Sequence, residues 1–269
     1  MFETKIKWEK LGLIFKPLTS YWWMNTHAMN PTPTLIDNGP LVRIYFSGRD
    51  EKNRSQPGWI IIDLRNPKLI LEMSQEPIMP LGRLGTFDDN GVAPASIVYF
   101  DDKIYLYYVG FKPGGTTRMD LYGGLAISYD KGLTFNRYSE APILERTKIN
   151  PFINTAPYVL YENGLWKMYY VGGVEWLHRD LPRYNIQYAT SKNGLDWNRD
   201  GHVCIDFASK DEHALAKPWV IKENDIYKMW FGYKGDASKG GAYLIGYAES
   251  NDGINWTRND EYAGIKLSN

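Results

Sequence analysis

Disulfide chemistry is the first thing this 269-residue chain lacks, because Cys204 is its one cysteine and no intrachain bridge can form. A lone thiol reads as a buried structural residue, and a reducing, cytoplasmic location is expected. Net charge is absent too. The 31 Lys and Arg balance the 31 Asp and Glu, so neither nucleic acid nor an anionic membrane is expected as partner. Long apolar runs are missing: the start, MFETKIKWEK, has no signal-peptide core, and no stretch reaches the roughly 20 residues of a membrane helix. No long window has helical periodicity. The 4 histidines lack H-x-x-x-H spacing, so no catalytic metal is expected. G-x-S-x-G, a P-loop and a nucleotide-binding glycine fingerprint are all missing, and no cofactor is expected. What is plentiful is aromatic: 20 Tyr and 10 Trp. Strand propensity accounts for that, and so do surfaces on which sugar rings stack.

The aromatics fall into a repeat. LVRIYFSG (41–48), KIYLYYVG (103–110), LWKMYYVGG (165–173) and IYKMWFGY (226–233) align, each preceded by an extended segment that begins near a proline. The turns joining each pair, DNGP, FDDK, ENG and END, are rich in residues that tolerate positive φ and so predict hairpins. Third strands follow (YGGLAISY, YNIQYATS, YLIGYAES), then the turns SYDKGLTF, SKNGLDW and SNDGINW, then fourth strands starting at Phe135, Trp197 and Trp256. Four antiparallel strands about every sixty residues predict an all-β propeller, a single domain over 1–269. The S-x-D-x-G turn resembles the Asp-box of sialidase-type propellers. Asp130 and Asp252 should bond backbone amides within their own turns, as scaffold.

Up-and-down blades put the second-to-third loops and the blade-to-blade connections on one face, and here those segments are long and polar. Function is expected there. The connections should converge at the axis, bringing His27, Asp88, Asp89, Asn154, Glu212, His213 and Lys217 to one funnel. Arg49, Asp50, Arg54, Arg118, Asp120, Glu175, Trp176 and His178 would form its rim. Facing carboxylates across a sugar-sized cleft are what glycosidic cleavage needs, and Asp88, Asp89 and Glu212 are the candidates. For Asp88 a solvated turn is the plainer alternative, and for Glu212 an ion pair with Lys217 or Lys210. Arg49, Asp50 and Arg54 make either a self-paired loop or a clamp for a sugar acid or phosphate. Trp176, with Tyr122 second, reads either as a stacking platform in a polar loop or as packing between blades.

HAMNPTP, RIYFSGRDEKNRS, FDDNGVAPASIV and the three Asp-box segments resemble the five-bladed propeller glycosidases: arabinanases, β-xylosidases, β-fructosidases and mannoside phosphorylases. The resemblance spans nearly the whole chain and implies a carbohydrate substrate. In the arabinanase pattern Asp89 matches the second-blade aspartate, while Asn30–Pro31 and Asn154 stand where the other two acids belong. The phosphorylase relatives imply a single protein acid and a phosphate held by basic residues, here Arg49, His27 and Lys217. The expectation is therefore a glycoside hydrolase using Asp89 and Glu212, with a phosphorylase or transglycosidase, or a non-catalytic sugar- or protein-binding propeller, as the alternatives. Four complete blades are visible. IKWEKLGLIF (6–15) looks like the outer strand of a fifth, incomplete blade. Such a gap implies either a homo-oligomer that covers it or a closed four-blade ring with 6–15 as an added strand.

Overall fold

A computed structural model describes residues 6–235 and 241–266. Among these the regular structure is β, apart from one short 3-10 turn at Asp260–Ala263. The chain packs as two compact units, one of residues 11–114 and 119–145, the other of residues 6–10, 115–118 and 146–266.

In the first unit β1 (Thr26–Leu35), β2 (Leu41–Arg49), β3 (Ser55–Asp63) and β4 (Asn66–Met73) form one antiparallel meander. A second comprises β5 (Gly91–Phe100), β6 (Lys103–Pro113), β7 (Met119–Ser128) and β8 (Asn136–Arg137). The second unit repeats this with β9 (Asn154–Glu162), β10 (Leu165–His178), β11 (Leu181–Ser191) and β12 (Val203–Ile205). It then adds β13 (Ala214–Glu223), β14 (Ile226–Lys234), β15 (Leu244–Ser250) and β16 (Thr257–Arg258). Single parallel bridges, Ser55 to Gly91 and Tyr184 to Ala214, link the two meanders of each unit.

The predicted hairpin turns form for the predicted reason. Asp37 and Asn38, Asp101 and Asp102, Asn163 and Gly164, and Asn224 and Asp225 all have positive φ, the paired left-handed conformation of a tight twisted hairpin. The Asp-box turns are equally local. Asp130 Oδ1 accepts the Leu133 and Thr134 amides, Asp252 Oδ1 accepts those of Ile254 and Asn255, and Ser128 and Ser250 accept the glycine amides. Burial works against the Asp252 charge, but these bonds outweigh it and hold the carboxyl below its usual range.

Each turn also docks on the preceding meander. Tyr45 donates its hydroxyl to the Gly132 carbonyl at 3.0 Å, and Tyr169 does the same to Gly253 at 2.8 Å. A Cβ on Gly132 would lie 2.2 Å from the Tyr45 hydroxyl, and φ there is +81°. Glycine is therefore needed twice over. The turn aromatics complete the packing: Phe135 meets Tyr45 edge-on within a core shared by both meanders of the first unit, and Trp256 meets Tyr169. In the remaining copy Asn193 Oδ1 accepts the Leu195 and Asp196 amides, so an amide serves as well as a carboxylate. Asp252→Ala should therefore lower stability by about 1–3 kcal/mol, and Asp252→Asn by much less, with activity spared by both. Urea unfolding midpoints at unchanged slope are the check.

Three expectations need correction. Residues 6–15 are not a strand. Ile6 and Trp8 instead pack on Trp230 and Ala263, with Trp8 Nε1 donating to the Ala263 carbonyl at 2.9 Å, while Phe15 packs against Phe46. The fourth strands that follow the three Asp-box-like turns are short, two residues at β8 and β16 and three at β12. Finally, the long polar segments after β6 and β10 are largely ladder rather than loop. Pairing runs out to Pro113 with Met119 and to His178 with Leu181, which puts Trp176 on a strand opposite Pro182.

At the hairpin ends of the second unit, Glu162 accepts from Lys167 at 2.8 Å, from Lys222 and from the Tyr227 hydroxyl. Desolvation opposes the charge, but these donors outweigh it and draw the Glu162 carboxyl down to about 2. A depressed carboxylate contributes stability that is complete above its ordinary value of 4.5 and is lost as pH falls toward 2. Glu162→Gln should flatten that acid limb in unfolding curves taken between those limits, leaving the neutral limb parallel to the parent's.

Candidate active site

The first strand of every meander carries one residue too many at the same place. Met29 to Thr32 lies opposite Ser47 to Tyr45, Pro94 to Ser96 opposite Tyr108 to Tyr107, Thr155 to Tyr158 opposite Val171 to Tyr169, and Ala216 to Trp219 opposite Gly232 to Trp230. In three of them the residue before proline is left-handed: Asn30 at φ 53°, Ala156 at 48° and Lys217 at 46°. A following proline normally forces extended backbone, and alanine or lysine in the left-handed region costs about 1–3 kcal/mol. Bulges and strain of this kind collect beside functional sites. Loss of hydration adds a second signal at Lys217, pulling its amine down to about 8.

The candidate carboxylates differ sharply in their partners. Asp88 is fully buried, and its Oδ2 accepts from Arg137 Nε at 2.8 Å and the Tyr108 hydroxyl at 3.0 Å. Glu212, 5% exposed, is held by both Nη atoms of Arg258 at 2.8 Å each and accepts the Ala208 amide at 2.8 Å. Arg258 also reaches Asp260 at 2.7 Å. Between them in sequence, Asn150 holds the same kind of position: its Oδ1 accepts from Tyr170 and its Nδ2 donates to Gln187. So the expected solvent around Asp88 and the expected lysine beside Glu212 are replaced by arginines of β8 and β16. Asp89 is different. Half-buried just before β5, it accepts the Gly85 amide at 2.8 Å and has no cationic partner among the described residues. The isosteric neighbours Asp88 and Asp89 thus point to separate partners and do not form a facing pair.

The other candidates have local contacts. Asp50, 6% exposed, accepts the Lys52 and Arg54 amides and the Arg54 and Gln56 side chains, the self-paired loop. Arg49 donates to Asn53, and exposed His27 has φ 63° with Nδ1 2.8 Å from the Thr26 hydroxyl. Asn154 is buried and donates to the Asn150 carbonyl. Glu175 pairs with Arg183 at 2.8 Å, and that guanidinium lies 4.2 Å over the Phe207 ring. The His213 main chain is tied to Tyr184 and Lys234.

Known proteins place this scaffold. No family model matches the chain. It is 37% identical over 262 residues to the uncharacterized protein Rv1502 of Mycobacterium tuberculosis, covering 97% of this chain and 85% of that one. The chain belongs to the Rv1502 family. Among more distant relatives of this Rv1502-family member, a 1,2-beta-oligomannan phosphorylase of Thermoanaerobacter is 27% identical over 132 residues, 47% of this chain and 44% of that one. Solved structures include a glycoside hydrolase with TM-score 0.65 at 18% identity, covering 84% of this chain and 72% of that one. The endo-arabinase of Bacteroides thetaiotaomicron has TM-score 0.61 at 12% identity, covering 93% and 84%. The Rv1502-family fold is that of the propeller glycosidases.

Sequence reasoning missed the arginines, although a signal was present. FNR at 135–137, WNR at 197–199 and WTR at 256–258 put an arginine two residues after each turn aromatic. It also missed a tyrosine pair: the hydroxyls of Tyr184 and Tyr243 lie 2.5 Å apart across 59 residues of sequence, with no local pattern to announce it.

Proposed function

We propose that this chain is a carbohydrate-active enzyme that cleaves a glycosidic bond, with Asp89 as its proton donor. The observation that carries the reading is the contrast among carboxylates in a propeller-glycosidase fold: Asp88 and Glu212 are occupied by arginines, and Asp89 is not. Asp88 and Glu212 then serve as blade anchors rather than acid–base groups. One acid suffices when phosphate is the nucleophile. Asp89 protonates the leaving glycosidic oxygen as the anomeric C–O bond breaks, a phosphate oxygen forms the new bond, and the phosphate proton returns to Asp89. Arg49 and His27 supply positive and hydrogen-bonding groups in the same unit. The distant likeness to an oligomannan phosphorylase favours phosphate over water as acceptor. The test is a panel of oligosaccharides, β-1,2-mannosides included, incubated with and without phosphate. Phosphate-dependent release of a sugar 1-phosphate is expected. Cleavage without phosphate would make the enzyme a hydrolase, and binding without any cleavage would make the chain a sugar-binding module and overturn the reading.

A further inference from the structure

We propose that Tyr243, locked by Tyr184 and flanked by Lys234, is a binding platform for a sugar ring bearing an anionic substituent; this rests on the carbohydrate reading above. Tyr243 is 44% exposed, so it has no core role, yet it is fixed in place. Its hydroxyl is 2.5 Å from that of Tyr184, whose own amide is bonded to the His213 carbonyl. Its ring rests on Gly232: a Cβ there would lie 3.1 Å from Tyr243 Cδ1, and 3.6 Å from the Ala216 carbonyl. A side chain at residue 232 would crowd the ring and require it to shift by a few tenths of an ångström. An exposed aromatic ring immobilised in this way loses little entropy on contact, which is what a face for sugar C–H groups requires.

The charge around it sets the ligand class. Lys234 Nζ lies 5.8 Å from the Tyr243 ring centroid and has no carboxylate partner among the described residues. Three acids of this unit are engaged by arginines, Glu212 and Asp260 by Arg258, and Glu175 by Arg183. A ring platform edged by an ammonium with no carboxylate partner among the described residues favours a sugar phosphate or a uronate over a neutral sugar.

Binding, not turnover, tests this, so its failure is separate from that of the catalytic reading. Calorimetric titration of the full chain with mannose, mannose 6-phosphate and glucuronate should show at least one anionic sugar binding about tenfold or more tightly than mannose. A preference for mannose 6-phosphate alone would assign phosphate as the substituent, and a preference for both would assign a general anion site. Lys234→Ala should erase the preference. Tyr243→Ala should weaken every sugar, while Tyr243→Phe should fall between the parent and Tyr243→Ala, because the ring remains but its bond to Tyr184 is lost. Equal affinity for charged and neutral sugars, no binding of any, or a preference untouched by Lys234→Ala would overturn the proposal. Gly232→Ala gives a second line: it should weaken sugars without altering the charge preference of what binding remains.

Discussion

Asp89→Asn should lower the turnover of a cleaved oligosaccharide by about a hundredfold or more, the usual worth of a positioned general acid. Folding should be unaffected. Asparagine keeps the oxygen that accepts the Gly85 amide, and no cation among the described residues is left unpaired by the loss of charge. The leaving group provides an internal control. A nitrophenyl glycoside departs without protonation, so the variant should retain far more of its rate on that substrate than on a sugar leaving group. A uniform loss on both would place Asp89 in binding rather than proton transfer, and unchanged turnover on both would remove it from the site.

Glu212→Gln should have its large effect on stability. The carboxylate is 5% exposed and grips both Nη atoms of Arg258, and breaking a buried pair from one side costs about 3–5 kcal/mol. Asp260 still holds Arg258 in the variant, so the lower end of that range is expected. Even that is a large fraction of the 5–15 kcal/mol by which a domain is typically stable. Arg258→Met should be comparably harmful, and the double variant should lose less than the sum, because neither buried charge is then left alone. Denaturant melts of the four proteins give the coupling. Full stability with lost turnover in Glu212→Gln would return that residue to the chemistry.

The sequence made the scaffold legible where a residue acts on its immediate neighbours. Asp37–Asn38 and Asp101–Asp102 make tight turns whatever surrounds them, and Ser128, Asp130 and Gly132 close their own loop. Residues whose role depends on distant partners were not readable in that way. Arg137 lies 49 residues from Asp88 and Arg258 lies 46 from Glu212, so nothing local in the sequence announced either pairing. Trp176 misled for a different reason: a polar, charged stretch reads as loop, yet its backbone continues the β10–β11 ladder through Trp176 and Pro182. The aromatic strand at 6–15 failed because its tryptophan finds the Ala263 carbonyl instead of a neighbouring strand.

The extra residue in each first strand has a consequence for how such a chain can vary. Side chains on a strand alternate, so residues an odd number apart face opposite ways, and a single insertion reverses the phase. Val92 and Ile97 are five apart yet pack with one core, as do Leu215 and Val220. β5 and β13 are thus each two half-strands spliced out of step, with core residues on both sides of the splice. Removing the spliced residue would turn one half inside out.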